Sequence, residues 1–234
     1  MRTTKTIVAT VAACLMAATA FGQLKQKDID KLNEAGTVLR ELRNAADGGI
    51  PASIFNKAQC VVVIPDLKKA GFIVAGERGS GVMSCRHGNG WSSPVFMEMT
   101  KGSVGFQAGV QSADFVLVVM NHGGAEKLLG NKVTLGAGAS IAAGPVGRSA
   151  GAATDAQFSA EILSYSRTKG LFAGVDLSGG SLNPDASKNE RAYGANVSAR
   201  DIALGTTKVK PTPEAQAFID ALRGGDTRGT SGVR

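Results

Sequence analysis

Histidine, cysteine and aromatic residues are scarce in this chain of 234 residues, and their scarcity argues against several classes of protein. The chain has two histidines, three cysteines and one tryptophan, and aromatic residues make up 5% of it. Two histidines leave little room for Ser–His catalysis or for a zinc site, which needs three or four ligands at suitable spacing. The phosphate-loop pattern G-x-x-x-x-G-K-[ST] is also absent. The sequence therefore predicts no cofactor and no metal.

The N-terminus has the pattern of a secretory signal peptide. A basic start, MRTTK, precedes the apolar run TIVATVAACLMAATA and the small-residue cleavage signal Ala18-Thr19-Ala20. We expect a signal peptide at residues 1–22 and an exported protein in the periplasm or outside the cell. Val11-Ala12-Ala13-Cys14 also fits a lipobox, so lipidation at Cys14 with outer-membrane association stays open as an alternative.

Basic residues outnumber acidic ones, 26 to 19, which gives a formal net charge of +7. A modest basic excess favours anionic surfaces as partners. Nucleic acid is not an expected partner, because the chain is predicted to be exported and aromatic residues for base stacking are few.

The spacing of glycine and apolar residues predicts the fold. The chain has 31 glycines, and in its middle they stand among Val, Ile, Leu and Phe, which is typical of bulged or tightly curved sheet. Apolar residues at helical spacing predict a helix over residues 24–47, and PEAQAFIDALRGG predicts a C-terminal helix. The predicted fold class is α+β, with a glycine-rich, strongly curved, mainly antiparallel sheet or barrel-like core flanked by N-terminal and C-terminal helices. We expect one domain at residues 23–223 and a disordered tail at residues 224–234.

Two cysteines, Cys60 and Cys85, remain once the signal peptide is removed. An even number in an exported chain suggests one disulfide, and each cysteine lies in a strand-like run. Two buried free thiols are the alternative.

Several basic and aromatic residues fall at predicted turns or strand ends. If the fold gathers them at one rim, they form a basic, aromatic-edged surface suited to phosphate head groups. Scattered, solvated charge is the alternative. The candidate lipid-binding residues are Lys68, Lys69, Arg78, Arg86, Trp91, Arg148, Tyr165, Arg167 and Lys169.

Tyr165 and Lys169 also fit Y-x-x-x-K, the spacing with which short-chain reductases place a lysine one helical turn from a tyrosine. Those enzymes need an N-terminal glycine-rich βαβ unit, which is missing here. An enzyme that uses this pair is therefore the least favoured interpretation.

An ordered series of motifs carries a family resemblance. It includes Lys69-Ala70-Gly71-Phe72, Ser84-Cys85-Arg86, Gly90-Trp91-Ser92-Ser93-Pro94, Ala143-Gly144-Pro145-Val146-Gly147-Arg148 and Ser164-Tyr165-Ser166-Arg167. These motifs resemble the SYLF domain family, also called the Ysc84 actin-binding family, over about residues 30–195.

The resemblance implies a lipid-binding module and not an enzyme. Eukaryotic members bind phosphoinositides, fungal members also bind actin next to an SH3 domain, and bacterial members are mostly exported single-domain proteins. The expected partner is therefore a phospholipid or membrane surface, and a protein partner stays open. Actin is a disfavoured partner, because this chain has a signal peptide and no SH3 or FYVE module.

Overall fold

The protein is described here from a computed structural model, which describes residues 24–45, 49–71, 74–104, 111–147, 157, 159–168, 171–206 and 209–224. The predicted signal peptide and nearly all of the predicted C-terminal tail lie outside the described residues.

Helices precede, interrupt and follow the strands. The helices within the described residues are α1 (Gln26–Asn44), α2 (Ala52–Lys57), α3 (His122–Leu129), α4 (Ala186–Tyr193), α5 (Ala199–Leu204) and α6 (Gln216–Arg223). A 3₁₀ turn (Pro213–Ala215) leads into α6. None of these helices combines the length and the apolar character needed to cross a bilayer.

The strands form one curled, half-barrel sheet. They are β1 (Cys60–Gly71), β2 (Val74–His87), β3 (Gly90–Trp91), β4 (Val95–Val104), β5 (Gln111–Val119), β6 (Val133–Thr134), β7 (Ile141–Ala143), β8 (Ile162–Thr168), β9 (Leu171–Gly174) and β10 (Ser181–Pro184). Their order is β6-β10-β4-β2-β1-β5-β8-β7, with β3 paired to β2 and β9 paired to β8. Neighbours are antiparallel except β7 and β8. The predicted α+β fold with a strongly curved, mainly antiparallel sheet and flanking helices is confirmed.

A bulge in β1 bends the centre of the sheet. The pairing of β1 with β2 shifts register between Val63 and Lys68, and Asp66 has a positive φ of 52°. Opposite the bulge, a Cβ on Gly79 would lie 2.7 Å from Leu67 Cδ1, and one on Gly81 would overlap the Val63 carbonyl oxygen. Glycine therefore lets β2 approach the bulged strand more closely than any other residue would, which is the role that glycine spacing predicted.

The core lies on both sides of the central strands. The β1 run from Val61 to Ile64 is fully buried, so neither face of the strand meets water. One face is covered by α1, whose Leu39 and Leu42 are buried and which packs on α6. The amphipathic helix is therefore packed on the domain.

The disulfide between Cys60 and Cys85 is present. The two residues lie directly opposite each other in the register of β1 and β2, and their sulfur atoms are 2.11 Å apart. This predicted bridge is confirmed, and it joins the start of β1 to the end of β2.

Candidate functional site

The strand directions bring three connections to one end of the sheet. The strands β1, β4 and β8 run towards this end, and their antiparallel neighbours β2, β5 and β9 run away from it. We call this the hairpin end and define it by its described residues Lys68, Arg78, Lys101, Thr168 and Leu171. The β1–β2, β4–β5 and β8–β9 connections all leave from it.

Two of the predicted lipid-binding residues, Lys68 and Arg78, are neighbours on the hairpin end. They are directly opposite in register, so their side chains stand on the same face of the sheet on strands about 4.8 Å apart. Their side chains are 66% and 77% exposed. Lys68 Nζ lies 3.4 Å from Asp66 Oδ2, and Arg78 pairs with Glu98. Exposed ion pairs contribute little stability, so an incoming phosphate can replace Asp66 at small cost, whereas Glu98 is only 21% exposed and Arg78 would have to bind a phosphate while it stays paired.

The same end carries an exposed apolar side chain. Leu171 is 78% exposed and lies opposite Thr168, the last residue of β8. A single exposed leucine is ordinary on a protein surface. Here it shares the hairpin end with the exposed cations, which is the combination that an anionic, partly apolar membrane interface would accept.

Two further candidates, Arg86 and Trp91, lie far from the hairpin end. Trp91 is only 7% exposed, and the guanidinium of Arg86 stacks 4.5 Å from the centre of its ring. Arg86 Nε also donates to the Ala58 carbonyl at 2.8 Å. The pair lies beside Cys85, at the opposite end of β2. Trp91 is therefore a core residue, and the expectation of an interfacial aromatic at a rim is wrong for it.

Tyr165 is fully buried in the core. Its ring packs on the backbone of Gly144, where any Cβ would overlap it. No hydrogen-bond partner for its hydroxyl is found in the described part of the chain, and burial raises the pKa of the phenol far above its ordinary value. Tyr165 is therefore a neutral core residue that a surface-bound ligand does not reach.

The Y-x-x-x-K spacing does not have its helical meaning here, because Tyr165 lies in the strand β8. The three residues of β8 that follow Tyr165 already span about 10 Å, whereas one helical turn rises only about 5.4 Å. Lys169 itself lies outside the described residues, as does Arg148.

Arg167 is engaged in a partly buried ionic network. Its Nε and Nη2 atoms lie 2.7 Å and 2.6 Å from Asp114 Oδ2, and it also pairs with Glu41 of α1. The other oxygen of Asp114 accepts the N–H of Asp66 in the bulge at 2.9 Å. Burial raises the pKa of the Asp114 carboxyl, and the hydrogen bond from the Asp66 N–H offsets part of that rise. Arg167 therefore joins α1 and β8 to the bulge.

The structure thus divides the predicted set. Lys68 and Arg78 come together, and Lys69 follows Lys68 in β1 with its side chain outside the described part. The prediction missed Leu171, although its place at the start of a strand-like run, just after Lys169-Gly170 in the sequence, was a usable signal. It also missed Lys101 of β4. Lys101 is paired with Glu77, the residue before Arg78 in β2, and its ammonium donates to the Asp176 carbonyl at 3.3 Å.

Catalytic patterns find no supporting geometry in the described residues. The nucleophile pattern G-x-S-x-G occurs once, at residues 147–151, but that pattern works at a strand-to-helix turn of an α/β-hydrolase sheet. Here it follows β7, a three-residue strand of a mainly antiparallel sheet. No group of three or more His, Cys, Asp or Glu side chains in the described ranges is arranged to hold a metal ion.

Comparison with known proteins gives consistent matches. Residues 100–224, more than half of the chain, match the family described as Ysc84, Las17-binding protein actin regulator. The chain is 36% identical over 182 residues to LAS seventeen-binding protein 3 of Saccharomyces cerevisiae, covering 76% of this chain and 39% of that protein. It is 35% identical to Protein YSC84 of the same yeast over 173 residues, covering 72% and 37%. It is 33% identical to the human SH3 domain-containing YSC84-like protein 1 over 181 residues, covering 74% and 53%. The chain therefore spans about half or less of the length of these relatives.

Proposed function

Because the chain belongs to the Ysc84 family, also called the SYLF domain family, we propose that it is a non-catalytic module that docks through its hairpin end on a phospholipid surface with anionic head groups. The observation that carries the proposal is the pairing of Lys68 with Arg78 on one face of the sheet, with most of each side chain exposed. Guanidinium and ammonium groups both bind phosphate oxygens by charge-assisted hydrogen bonds.

The arrangement of the hairpin end suits a planar partner. Lys68 and Arg78 stand on paired strands, so the spacing of their backbones is set by the sheet register before binding and only their side chains have to be ordered. Each basic side chain near an anionic membrane surface contributes about 1 kcal/mol, and an exposed leucine adds apolar area. We place Leu171 in the head-group region when the protein is bound.

We propose that this docking takes place outside the cytoplasm. The support is the signal-peptide pattern of residues 1–22, and an anionic leaflet of the envelope would then be the surface in contact.

A second candidate function is a protein-binding module. The family is described as a Las17-binding actin regulator and one relative is named LAS seventeen-binding protein 3, which supports a protein partner. The chain spans only part of those proteins, so their partners need not bind this portion. A protein with an acidic surface would meet the same cations, and the experiment below separates the two candidates.

Co-sedimentation with vesicles tests the proposal. We expect the protein to sediment with vesicles of phosphatidylcholine mixed with phosphatidylglycerol and to stay in solution with phosphatidylcholine alone. Binding should fall as salt shortens the Debye length from about 10 Å at 0.1 M to about 3 Å at 1 M.

Two variants with equal net charge give the matched comparison. K68Q/R78Q removes the two cations that face each other on β1 and β2 and should weaken the partition by about 30-fold, which corresponds to about 2 kcal/mol. K57Q/K210Q removes two exposed lysines near the opposite end of the sheet. Lys57 is in α2, which packs on Trp91, and Lys210 follows Val209, whose carbonyl accepts a hydrogen bond from Ser93. It should bind as the wild type does. Equal loss in both variants, or no binding to anionic vesicles by the wild type, would contradict lipid docking and leave the protein-binding candidate.

A further inference from the structure

A separate cleft lies between α3, β10, α4 and α5, with a volume of about 730 Å³. That volume falls in the range of ligand-binding pockets, about 300–1,000 Å³. The residues that matter for its chemistry are Asn131, Lys132, Asn183, Pro184, Glu190 and Asn196. None of them belongs to the hairpin end.

The cleft presents polar side chains that the fold does not use. Among the described residues, the side chains of Asn131, Lys132 and Asn196 have no hydrogen-bond partner, and the Asn183 amide reaches only the Pro184 carbonyl at 3.4 Å. Asn189, which also borders the cleft, shows the contrast. Its amide is fully engaged with the backbone of Phe96, at 2.8 Å and 3.0 Å, and holds α4 against β4.

The backbone of β10 adds an acceptor that points towards the cleft. The N–H of Asp185 donates to the Phe96 carbonyl of β4. Because the backbone groups of successive residues in a strand point to opposite sides, the Pro184 carbonyl points away from β4. On that side the partner strand β6 pairs only with Ser181 and Leu182, and has ended before Pro184. The Pro184 carbonyl is therefore an edge acceptor with no strand opposite it.

The charges and shape of the cleft narrow the class of ligand. Lys132 and Glu190 are both exposed and carry opposite charges. The attraction of a phosphate or another strong anion to Lys132 is therefore offset by its repulsion from Glu190. No aromatic ring is present among the residues that line the cleft, which disfavours a nucleobase or a sugar ring that needs a stacking platform.

We propose that this cleft binds a short extended segment of peptide without strong net charge. Three side-chain amides each offer a donor and an acceptor, which matches the alternating N–H and C=O groups of a peptide backbone. A backbone N–H of the bound segment donates to the Pro184 carbonyl. Proline has no N–H to donate in return, so the segment makes one backbone hydrogen bond at this residue and does not pair as a full strand.

The cleft lies away from the hairpin end, so both can be occupied together. Pro184 is opposite Met97 near the start of β4, and Lys101 of the hairpin end lies four positions further along the same strand. The two positions are therefore about 13 Å apart along β4. The peptide site therefore does not depend on the proposed lipid docking.

Selection from a random linear peptide library displayed on mRNA, followed by titration of synthetic capped peptides, tests this inference. N131A/N196G removes two exposed amides, and glycine keeps the positive φ of 69° at residue 196. We expect selected peptides to bind this variant about tenfold more weakly or worse than the wild type. The control N33A/N89G removes two exposed asparagines outside the cleft and should bind as the wild type does.

Amide chemical shifts of the wild-type protein give a readout that does not depend on variant folding. The peptide should shift the amides of residues 194–199 and Lys132 and leave those of the hairpin end unchanged. The inference is overturned if no peptide is enriched, if selected peptides bind N131A/N196G as tightly as the wild type, or if the shifts fall elsewhere. Shifts at the cleft produced by soluble oligosaccharides and not by peptides would also overturn it.

Discussion

Replacing Arg167 with glutamine separates a structural role from a lipid-binding role for a residue that the sequence nominated as a ligand. In the structure its guanidinium contacts Asp114 at 2.6 Å and 2.7 Å and also pairs with Glu41, and the side chains of Arg167 and Asp114 are 20% and 15% exposed. R167Q leaves a largely buried carboxylate without its cation.

The magnitude follows from that burial. A hydrogen bond to a charged group contributes about 1.5–3 kcal/mol, and partial exposure keeps the total towards the lower end, so we expect R167Q to lose about 2–3 kcal/mol of unfolding free energy. For a chain of this length that corresponds to a fall in Tm of roughly 5–10 °C. Urea titration and thermal unfolding measure the two quantities.

The matched control is R200Q. Arg200 pairs with Glu126 on the surface, where the two side chains are 53% and 51% exposed, so its loss should cost no more than about 1 kcal/mol. Both variants lose one positive charge, and their vesicle partition per folded molecule should agree within about twofold. If R167Q is as stable as R200Q and its vesicle binding collapses, Arg167 is a ligand-binding residue and the reasoning is refuted.

Three further predictions concern the core, the disulfide and an acidic side chain. Y165F should unfold with unchanged free energy, or gain up to about 1 kcal/mol, because the buried hydroxyl has no described partner; a clear loss in urea titration would reveal a partner or role for it. C60A/C85A opens a loop with a sequence separation of 25 and should lose about 3.5 kcal/mol of unfolding free energy in urea; a loss below about 1 kcal/mol would show that the bridge does not constrain the unfolded chain. Hydrogen bonds from Lys127 and from Ser140 lower the pKa of Glu161, so its contribution is present at neutral pH and is lost as pH falls from the ordinary glutamate range through the lowered value. E161Q should therefore be less stable than the wild type at neutral pH and should lose less stability on acidification between about pH 5 and pH 3. If the unfolding free energies of the two proteins change by the same amount across this range, the assignment is contradicted.

The fold could be predicted where local pattern and tertiary structure agree. Apolar residues at helical spacing predicted α1, and glycine among β-branched residues predicted the curved sheet, since Gly79 and Gly81 are needed where β2 passes the bulge. The cysteine pair was predictable because Cys60 and Cys85 lie in strands that follow each other along the chain.

The rest depended on contacts between distant residues. Pro65 and Asp66 are residue types that occur at bulges, but the register shift itself depends on how β2 and β5 pair with β1. Arg167 looked like a free cation because its partner Asp114 is 53 residues away. Tyr165 stood at a helical spacing from Lys169, but pairing with β5 and β9 makes the segment a strand.

Trp91 illustrates the same limit for the candidate site. The sequence places Trp91 among the candidates for an aromatic-edged surface, whereas Phe55 of α2, with its ring centre 6.0 Å away, and Arg86 cover it in the structure. The partners come from other elements, so burial could not be inferred from the flanking residues. Lys68 and Arg78 lie side by side because the strands that they occupy follow each other along the chain, and their role in lipid binding stays a prediction.

A fluorescent probe at position 171 tests the central claim, that the hairpin end faces the membrane, most directly. In a C14S background, L171C and K210C each carry one environment-sensitive label, since Cys60 and Cys85 are joined in the disulfide. With vesicles that contain phosphatidylglycerol, we predict that the emission of the label at 171 shifts to the blue and that the emission at 210 does not change. Co-sedimentation with a blue shift at 210 alone, or with no shift at either position, would contradict the assignment of the hairpin end as the docking surface.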